Sequence, residues 1–235
     1  MTSMDSKAVF PPRQSISEDL IVYIKQQILN GQLNPGDRIV ETKLAGELGI
    51  SQTPVREAIR RLQGEGIITV VPNKGPMVCT LDKKDVFEIY SIRSMLEGQA
   101  IRLAVLRASD RDIAELETFY EQMKEKLDDF SVEYLLDDSF HIHETIIKLS
   151  QHSRLISTYQ SISFQILLAN RLLGTKKTKQ TEVEQHWELI EALKRRDTDS
   201  AEQTMRRHIY RSYCDFVELN GLDASPEELD EKTWL

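Results

Sequence analysis

The chain has 235 residues, 30 Lys+Arg against 38 Asp+Glu, and a formal net charge of -8. That length makes one large or two ordinary domains, and 40% hydrophobic residues are enough for a core. The apolar runs are too short to span a membrane, Met1 to Gln14 lacks the apolar centre of a secretory signal, and Cys79 and Cys214 form no metal or redox motif. The expectation is therefore a protein of the reducing cytoplasm with no membrane partner.

In chain order, Leu20, Ile21, Ile24, Ile28 and Leu29 mark a helix from about Ser17 to Asn30, stopped by Gly31. Asn34-Pro-Gly-Asp37 is a turn. Glu41 to Leu48 is a short helix with Leu44, Ala45 and Leu48 on its apolar side, and Gly49 supplies the tight turn after it. The next helix carries Ile50-Ser-Gln-Thr-Pro-Val-Arg-Glu-Ala-Ile59. Ser51 can cap it, and Pro54 is tolerated in the first turn, where the early N–H groups have no helical partner. Val55, Ala58, Ile59 and Leu62 fall at i, i+3, i+4 and i+7 and make a buried stripe. Arg56 and Arg60 lie four apart on another face, with Arg61 beside them. One apolar stripe with one arginine face is a recognition helix in outline. Two strand-like runs follow, Ile67 to Val71 and Met77 to Leu81, with Pro72-Asn-Lys-Gly75 turning between them as the wing.

These residues resemble a known family. Leu33-x-Pro-Gly-Asp-Arg-Ile39, Leu44-Ala45, Ile50-Ser-x-Thr-Pro-Val-Arg-Glu-Ala-Ile59 and Gly66 through Lys74-Gly75 are similar to the GntR family of bacterial transcription regulators. The resemblance implies a winged helix-turn-helix over residues 1–80 that binds double-stranded operator DNA. It places Arg56, Thr53 and the wing residues Asn73, Lys74 and Gly75 on the DNA, with Arg60 and Arg38 as further candidates. Gln52 stands where many members carry a basic residue; glutamine can still bond an adenine edge or a phosphate, so it bears on the operator sequence. Residues 1–80 carry 9 Lys+Arg and 8 Asp+Glu, and residues 81–235 carry 21 and 30. The acidity belongs to the second part, and DNA affinity must come from placed arginines rather than a broad positive field.

The second part, residues 81–221, reads as an antiparallel all-helical bundle, making the whole chain mainly α. Asp82 to about Leu106 is the first helix; Ser109, with Asp112 three residues on, can cap the next. Further helices run from about Val132 to Leu149, Ser153 to Leu173, Thr181 to Arg195 and Asp199 to Leu219, with short connections that favour antiparallel neighbours. Gly174 to Gln180 reads as a polar linker and residues 222–235 as an acidic tail.

Asp137 and His141 are i and i+4 and share one helix face. His186 and His208 each lie 11 residues from Asp197, about 16 Å along their helices at ~1.5 Å per residue. In an antiparallel hairpin that puts them at equal height. Three imidazoles and a carboxylate inside a bundle are a ligand set for a divalent metal with positions left open. On spacing alone, Asp137 with His141 is equally a plain helical pair. His143 is two residues from His141 and points elsewhere, and His152 sits at a helix junction; neither is assigned as a ligand.

Arg93-x-x-Leu96-Glu97, Asp137-x-x-Phe140-His141, Glu184-x-His186 and Arg206-Arg207-His208-Ile209 resemble the FCD effector domain of the FadR subfamily. That resemblance implies a divalent metal on Asp137, His141, His186 and His208, with zinc first and nickel or another first-row ion as alternatives. It also implies a small carboxylate effector clamped near the metal, with Arg93, Arg171 and Asn170 as candidates; the alternative for Arg93 is an ion pair with Glu97. The expected function is a homodimeric, ligand-responsive regulator, in the commoner family arrangement a repressor of a catabolic or transport operon. A metal-dependent enzyme of the helical domain, or a regulator with a purely structural metal, are the competing readings. No nucleophile or general base stands at a suggestive spacing, so no enzyme is expected.

Overall fold

A computed structural model describes residues 15–128, 132–173 and 179–235. The chain divides into two compact units, Met1–Thr80 and Leu81–Leu235.

In the first unit, α1 (Ile16–Leu29) opens on a reciprocal cap. The Ser15 hydroxyl accepts from the Glu18 N–H and the Glu18 carboxylate accepts from the Ser15 N–H, satisfying two of the first-turn donors that have no helical partner. The short α2 (Glu41–Leu48) ends at Gly49, whose φ of 66° is the left-handed conformation that the turn into α3 (Gln52–Gly64) requires. Ser51 precedes α3 in extended backbone, but its hydroxyl makes no capping bond. Val55, Ala58, Ile59 and Leu62 of α3 are buried, together with Leu20, Ile21, Ile24 and Ile28 of α1. That is the stripe the 3.6-residue period predicts. The wing is an antiparallel pair, β1 (Ile68–Val71) with β2 (Gly75–Val78), in the register Ile68 opposite Val78 and Val71 opposite Gly75. The second strand therefore starts two residues before Met77 and ends before Leu81. Asn73 (φ 64°) and Gly75 (φ 83°) carry the turn.

Among the described residues, the regular elements of the second unit are all helices. Its axis is α4 (Lys83–Arg107), 25 residues long, about 37 Å at ~1.5 Å per residue, packed against α6, α7 and α9. Asp82 and Asp85 cap it reciprocally, and Ser109 and Asp112 do the same for α5 (Asp110–Glu125) as the sequence suggests. Then come a 3-10 turn (Lys126–Asp128), α6 (Val132–Leu149), α7 (Ser153–Leu173), α8 (Lys179–Arg195) and α9 (Thr198–Leu219). Of the expected linker, residues 174–178 lie outside the described residues, while Lys179 and Gln180 already belong to α8.

The α8–α9 turn is fixed by Arg196 at φ 57°, whose guanidinium donates to the carbonyls of Val105 (2.9 Å) and Ala108 (2.7 Å). Asp197 caps α9 by accepting from the N–H groups of Asp199 and Ser200. Tyr90, Ile101, Ile142, Ile146, Leu189, Ile190, Leu193, Met205, Ile209 and Tyr213 lie in one continuous core.

Residues 222–235 are not the solvated tail that their acidity suggests. Trp234 is only 3% exposed. Its ring stands 5.0 Å from that of Tyr213, 5.7 Å from Phe87 and 5.8 Å from Tyr210, and its Nε1–H donates to the Glu228 carbonyl. Tyr210 Oη donates to the Leu229 carbonyl, and Arg207 pairs with Glu231 at 2.7 Å. One large aromatic gives the segment enough apolar area to dock, whatever the charge around it.

Candidate functional site

Two sites follow from this scaffold, one on the surface of the winged unit and one inside the helical unit. On the winged unit, burying one stripe of α3 leaves Gln52, Thr53, Arg56 and Arg60 exposed on the same helix. Arg56 Nε donates to Glu41 at 2.8 Å and its Nη2 to Gln52 Oε1 at 3.1 Å. An exposed pair of this kind is worth ~0–1 kcal/mol, so it orients the guanidinium without holding it back from a stronger acceptor. Asn73 and Lys74 are exposed at the tip of the wing. Arg38 pairs through its backbone with Met77, and its side chain lies against Gly75, where an added Cβ would stand 3.9 Å from Nε. The wing turn and the recognition helix thus each present cations and amides with no apolar cover.

The second site is buried. His186 of α8 and His208 of α9 face each other, ring centroids 4.8 Å apart, as their equal distance from the Asp197 turn predicts. The third imidazole is His143 of α6, 5.1 Å from each. All three are buried, at 1–2% exposure, and one nitrogen from each lies within 4.8 Å of the others. The Nε2 atoms of His143 and His186 are 3.2 Å apart, close to the ~3.3 Å that separates two tetrahedral ligands at ~2.0–2.1 Å from a shared ion.

Asp137 and His141 do not join this cluster. Two residues along a helix is a rotation of about 200° at ~3.6 residues per turn, so the Asp137–His141 face and the His143 face point nearly opposite ways. Both Asp137 and His141 are exposed, and the His141 ring packs against Phe119 with centroids 4.3 Å apart. The signal that finds His143 was in the sequence. Among the described residues, the buried positions of α6 are Ser139, Ile142, His143, Ile146 and Ile147, a helical stripe that includes His143 and leaves out His141. His152 also has a local role: its Nδ1 accepts from the Leu155 N–H at 3.2 Å, in the first turn of α7.

Behind His143 stands an ionic relay that sequence reasoning did not join to it. Arg93 Nε donates to Glu97 Oε1 at 2.6 Å, and the other oxygen of Glu97 lies 2.5 Å from His143 Nδ1. Arg93 and Glu97 are almost fully buried. Burial alone would raise the Glu97 pKa, but the Arg93 guanidinium and the His143 ring bring it down to about 2. Burial also works against the charge on Arg93, and Glu97 overcomes it, so the arginine is held firmly protonated. Glu97 is thus a carboxylate. It accepts the Nδ1 proton of His143, which sets the tautomer and turns the Nε2 lone pair toward His186. A carboxylate behind a histidine is the usual outer partner of a metal-ligating imidazole. On the other side, Glu188 lies 3.4 Å from His208 Nδ1 and pairs with Arg211.

Of the expected effector residues, Arg93 is therefore committed to Glu97, the alternative weighed for it. Asn170 accepts from Tyr90 Oη at 2.9 Å. The Arg171 side chain lies outside the described residues. The donor set fits a divalent ion: three imidazoles from three helices, one already oriented by a carboxylate.

Residues 16–78 match the family model of bacterial regulatory proteins of the gntR family, and residues 88–211 match that of the FCD domain. The chain belongs to the GntR family and carries an FCD domain. Among its relatives is the Nta operon transcriptional regulator of Aminobacter aminovorans, 35% identical over 186 residues that cover 79% of this chain and 87% of that protein. A probable D-xylose utilization operon transcriptional repressor of Paenarthrobacter nicotinovorans is 27% identical, covering 88% of this chain and 91% of the other. The solved structure of E. coli McbR/YncC shares the fold, with a TM-score of 0.75 at 24% identity, over 88% of this chain and 99% of that one. GntR proteins of this type are DNA-binding transcription regulators rather than enzymes, and this chain is one of them. Among the described residues no helix is long and apolar enough to cross a membrane.

Proposed function

We propose that this GntR/FCD regulator is a homodimeric, cytoplasmic repressor of a catabolic or transport operon, released from its operator by a small organic acid that binds at a metal ion in the helical unit. The observation that carries the proposal is the convergence of His143, His186 and His208 in a buried site with Glu97 behind one of them.

On the DNA side, two copies of α3 enter successive major grooves of a palindrome, about 34–36 Å apart. Arg56, oriented by Glu41 and Gln52, reads a guanine edge; Gln52 and Thr53 flank it. Arg38, Asn73, Lys74 and Gly75 hold the backbone beside it, and Arg60 contacts phosphate. On the effector side, His143, His186 and His208 hold the ion, zinc or another first-row metal. Bound there, the ion supplies a Lewis-acidic position for a carboxylate oxygen. Glu97 keeps His143 in its ligating tautomer, and Arg93 keeps Glu97 charged. The imidazoles come from α6, α8 and α9, so an acid drawn into their centre acts on three helices at once. A coupling of ~1–3 kcal/mol between acid and operator changes DNA affinity roughly 5- to 150-fold.

The test is fluorescence anisotropy of labelled DNA from the region upstream of the protein's own gene, with metal-loaded protein and a panel of small organic acids. The expected result is release by one acid, lost in the double variant His143→Ala, His208→Ala. Tight DNA binding that no acid disturbs, with the metal present, would overturn the effector half of the proposal and leave the metal a structural part.

A further inference from the structure

Building on the reading of a dimer on a two-part operator, we infer that residues 222–235 form a latch that fixes where α4 begins, and with it the length of free chain that joins the winged unit to the helical one. Between Val78, the last residue of β2, and Lys83, the first of α4, stand residues 79–82. The Cys79 N–H donates to the Ile67 carbonyl at 2.9 Å, Leu81 packs against the core of the bundle, and Asp82 caps α4. Thr80, which is exposed, remains between the end held by the wing and the end held by the bundle. The connection is therefore short only while the first turn of α4 stays wound.

That turn opens on Lys83 and Lys84, two cations at the end of a helix where the aligned peptide dipoles favour negative charge. The Asp82–Asp85 cap offsets part of this. The C-terminal segment supplies the rest. Lys83 Nζ donates to the Asp223 carbonyl and pairs with the Glu228 carboxylate at 3.3 Å. Phe87, one turn further along α4, meets the Trp234 ring. Glu228 is itself held in place. Its carboxylate accepts from the Ser225 N–H at 2.7 Å, and the Ser225 hydroxyl accepts from the Glu228 N–H at 3.2 Å. The Ser225 bond and Lys83 keep the Glu228 carboxyl below its ordinary pKa, so it faces the lysine as an anion.

The same segment is fastened to α9 around His208. Arg206 donates to the Trp234 carbonyl at 3.4 Å, Arg207 pairs with Glu231, and Tyr210 donates to the Leu229 carbonyl. One short stretch of chain thus grips both the helix that carries His208 and the first turn of α4, so a shift of α9 is passed to that turn. Each residue freed there adds up to ~3.3–3.6 Å of reach, as much as the ~3.4 Å rise of one base pair. The latch therefore sets how strictly the dimer reads the spacing of its two half-sites.

The test compares the native protein with Lys83→Met, which removes both bonds to the segment and keeps the apolar stem. Lys84→Met is the control, since it removes the same charge from a lysine that pairs with Glu88 on α4 itself. Two quantities are read: hydrogen exchange of the backbone amides of residues 81–86 in the free protein, and anisotropy with DNA from upstream of the protein's own gene, native or with one base pair inserted between the half-sites. In the native protein and Lys84→Met the insertion should weaken binding about tenfold or more. In Lys83→Met the amides should exchange about tenfold faster, and the insertion should cost less than about threefold. Glu228→Gln should move both readouts the same way by a smaller factor, because Lys83 keeps the Asp223 carbonyl. Exchange in Lys83→Met equal to the native protein's, faster exchange with the spacing preference intact, or an equal change in Lys84→Met would overturn the inference and leave the proposed function standing. A single half-site bound by the native protein as tightly as the pair would overturn the dimeric reading and this inference with it.

Discussion

The winged unit and the helical unit put polar chemistry to opposite uses. On α3 the working groups are exposed, positively charged in sum, and lightly held. Arg56 rests on Glu41 and Gln52 at the surface, where water screens the pair and a phosphate or base can displace it. In the bundle the working groups are buried and locked. Arg93, Glu97 and His143 form one chain of short contacts, all nearly inaccessible to solvent. A surface reader needs side chains that can change partner. A buried sensor of the kind proposed needs side chains that cannot, so that an arriving ligand would be felt by the helices and not absorbed by a rotamer. Stability should therefore depend strongly on the polar residues of the second unit and weakly on those of the first.

The largest effect is expected at Glu97. Glu97→Ala leaves the Arg93 guanidinium buried without its carboxylate and should cost about 3–5 kcal/mol, read as a lowered melting temperature or urea midpoint. A cost near that of a surface substitution would mean that the relay is not what holds this part of the bundle.

Next is the docked C-terminal segment. Trp234→Ala removes a ring that touches Phe87, Tyr210 and Tyr213 and should cost about 3 kcal/mol. Limited proteolysis should then clip the chain after Leu222, which the native protein should resist.

In the winged unit, Arg56→Ala should leave the melting temperature within about 2–4 °C, because an exposed residue changes stability by less than ~0.5 kcal/mol. It should still weaken operator binding by about 1–3 kcal/mol. Operator affinity equal to the native protein's would contradict the place given to α3.

The smallest effect is expected at His141. His141→Ala removes an exposed ring and should change stability by less than ~0.5 kcal/mol, with metal content unchanged.

The same contrast decides how much was legible in the sequence. The winged unit was readable almost residue by residue, since the period of Val55, Ala58, Ile59 and Leu62 and the glycines at turns are local signals. Only details differed: the Ser51 hydroxyl is not in a cap, and β2 starts at Gly75 because Asn73 and Gly75 take the turn's left-handed positions. The helices of the second unit were equally legible, and so was the level of His186 and His208, because a hairpin converts distance in sequence into height.

The third histidine was not reached, for a specific reason. Asp137, Phe140 and His141 look like a ligand motif one residue at a time, while the burial period of α6 selects His143. A motif reports residue types, and only the phase of the helix says which of them face inward. The Arg93–Glu97–His143 relay needed two helices in register, which no single stretch of sequence displays. Trp234 was hidden by the acidic residues around it, since charge density describes the solvent side of a segment and one aromatic is enough to dock it.

The most direct test of the account is the metal content of three proteins: native, His141→Ala and His143→Ala, each purified after equilibration with zinc and measured by mass spectrometry of the metal. The account predicts one ion per chain in the native protein and in His141→Ala, and a loss of the ion in His143→Ala while helix content is retained. Loss of the ion in His141→Ala with retention in His143→Ala would contradict it, and would return the site to the other face of α6.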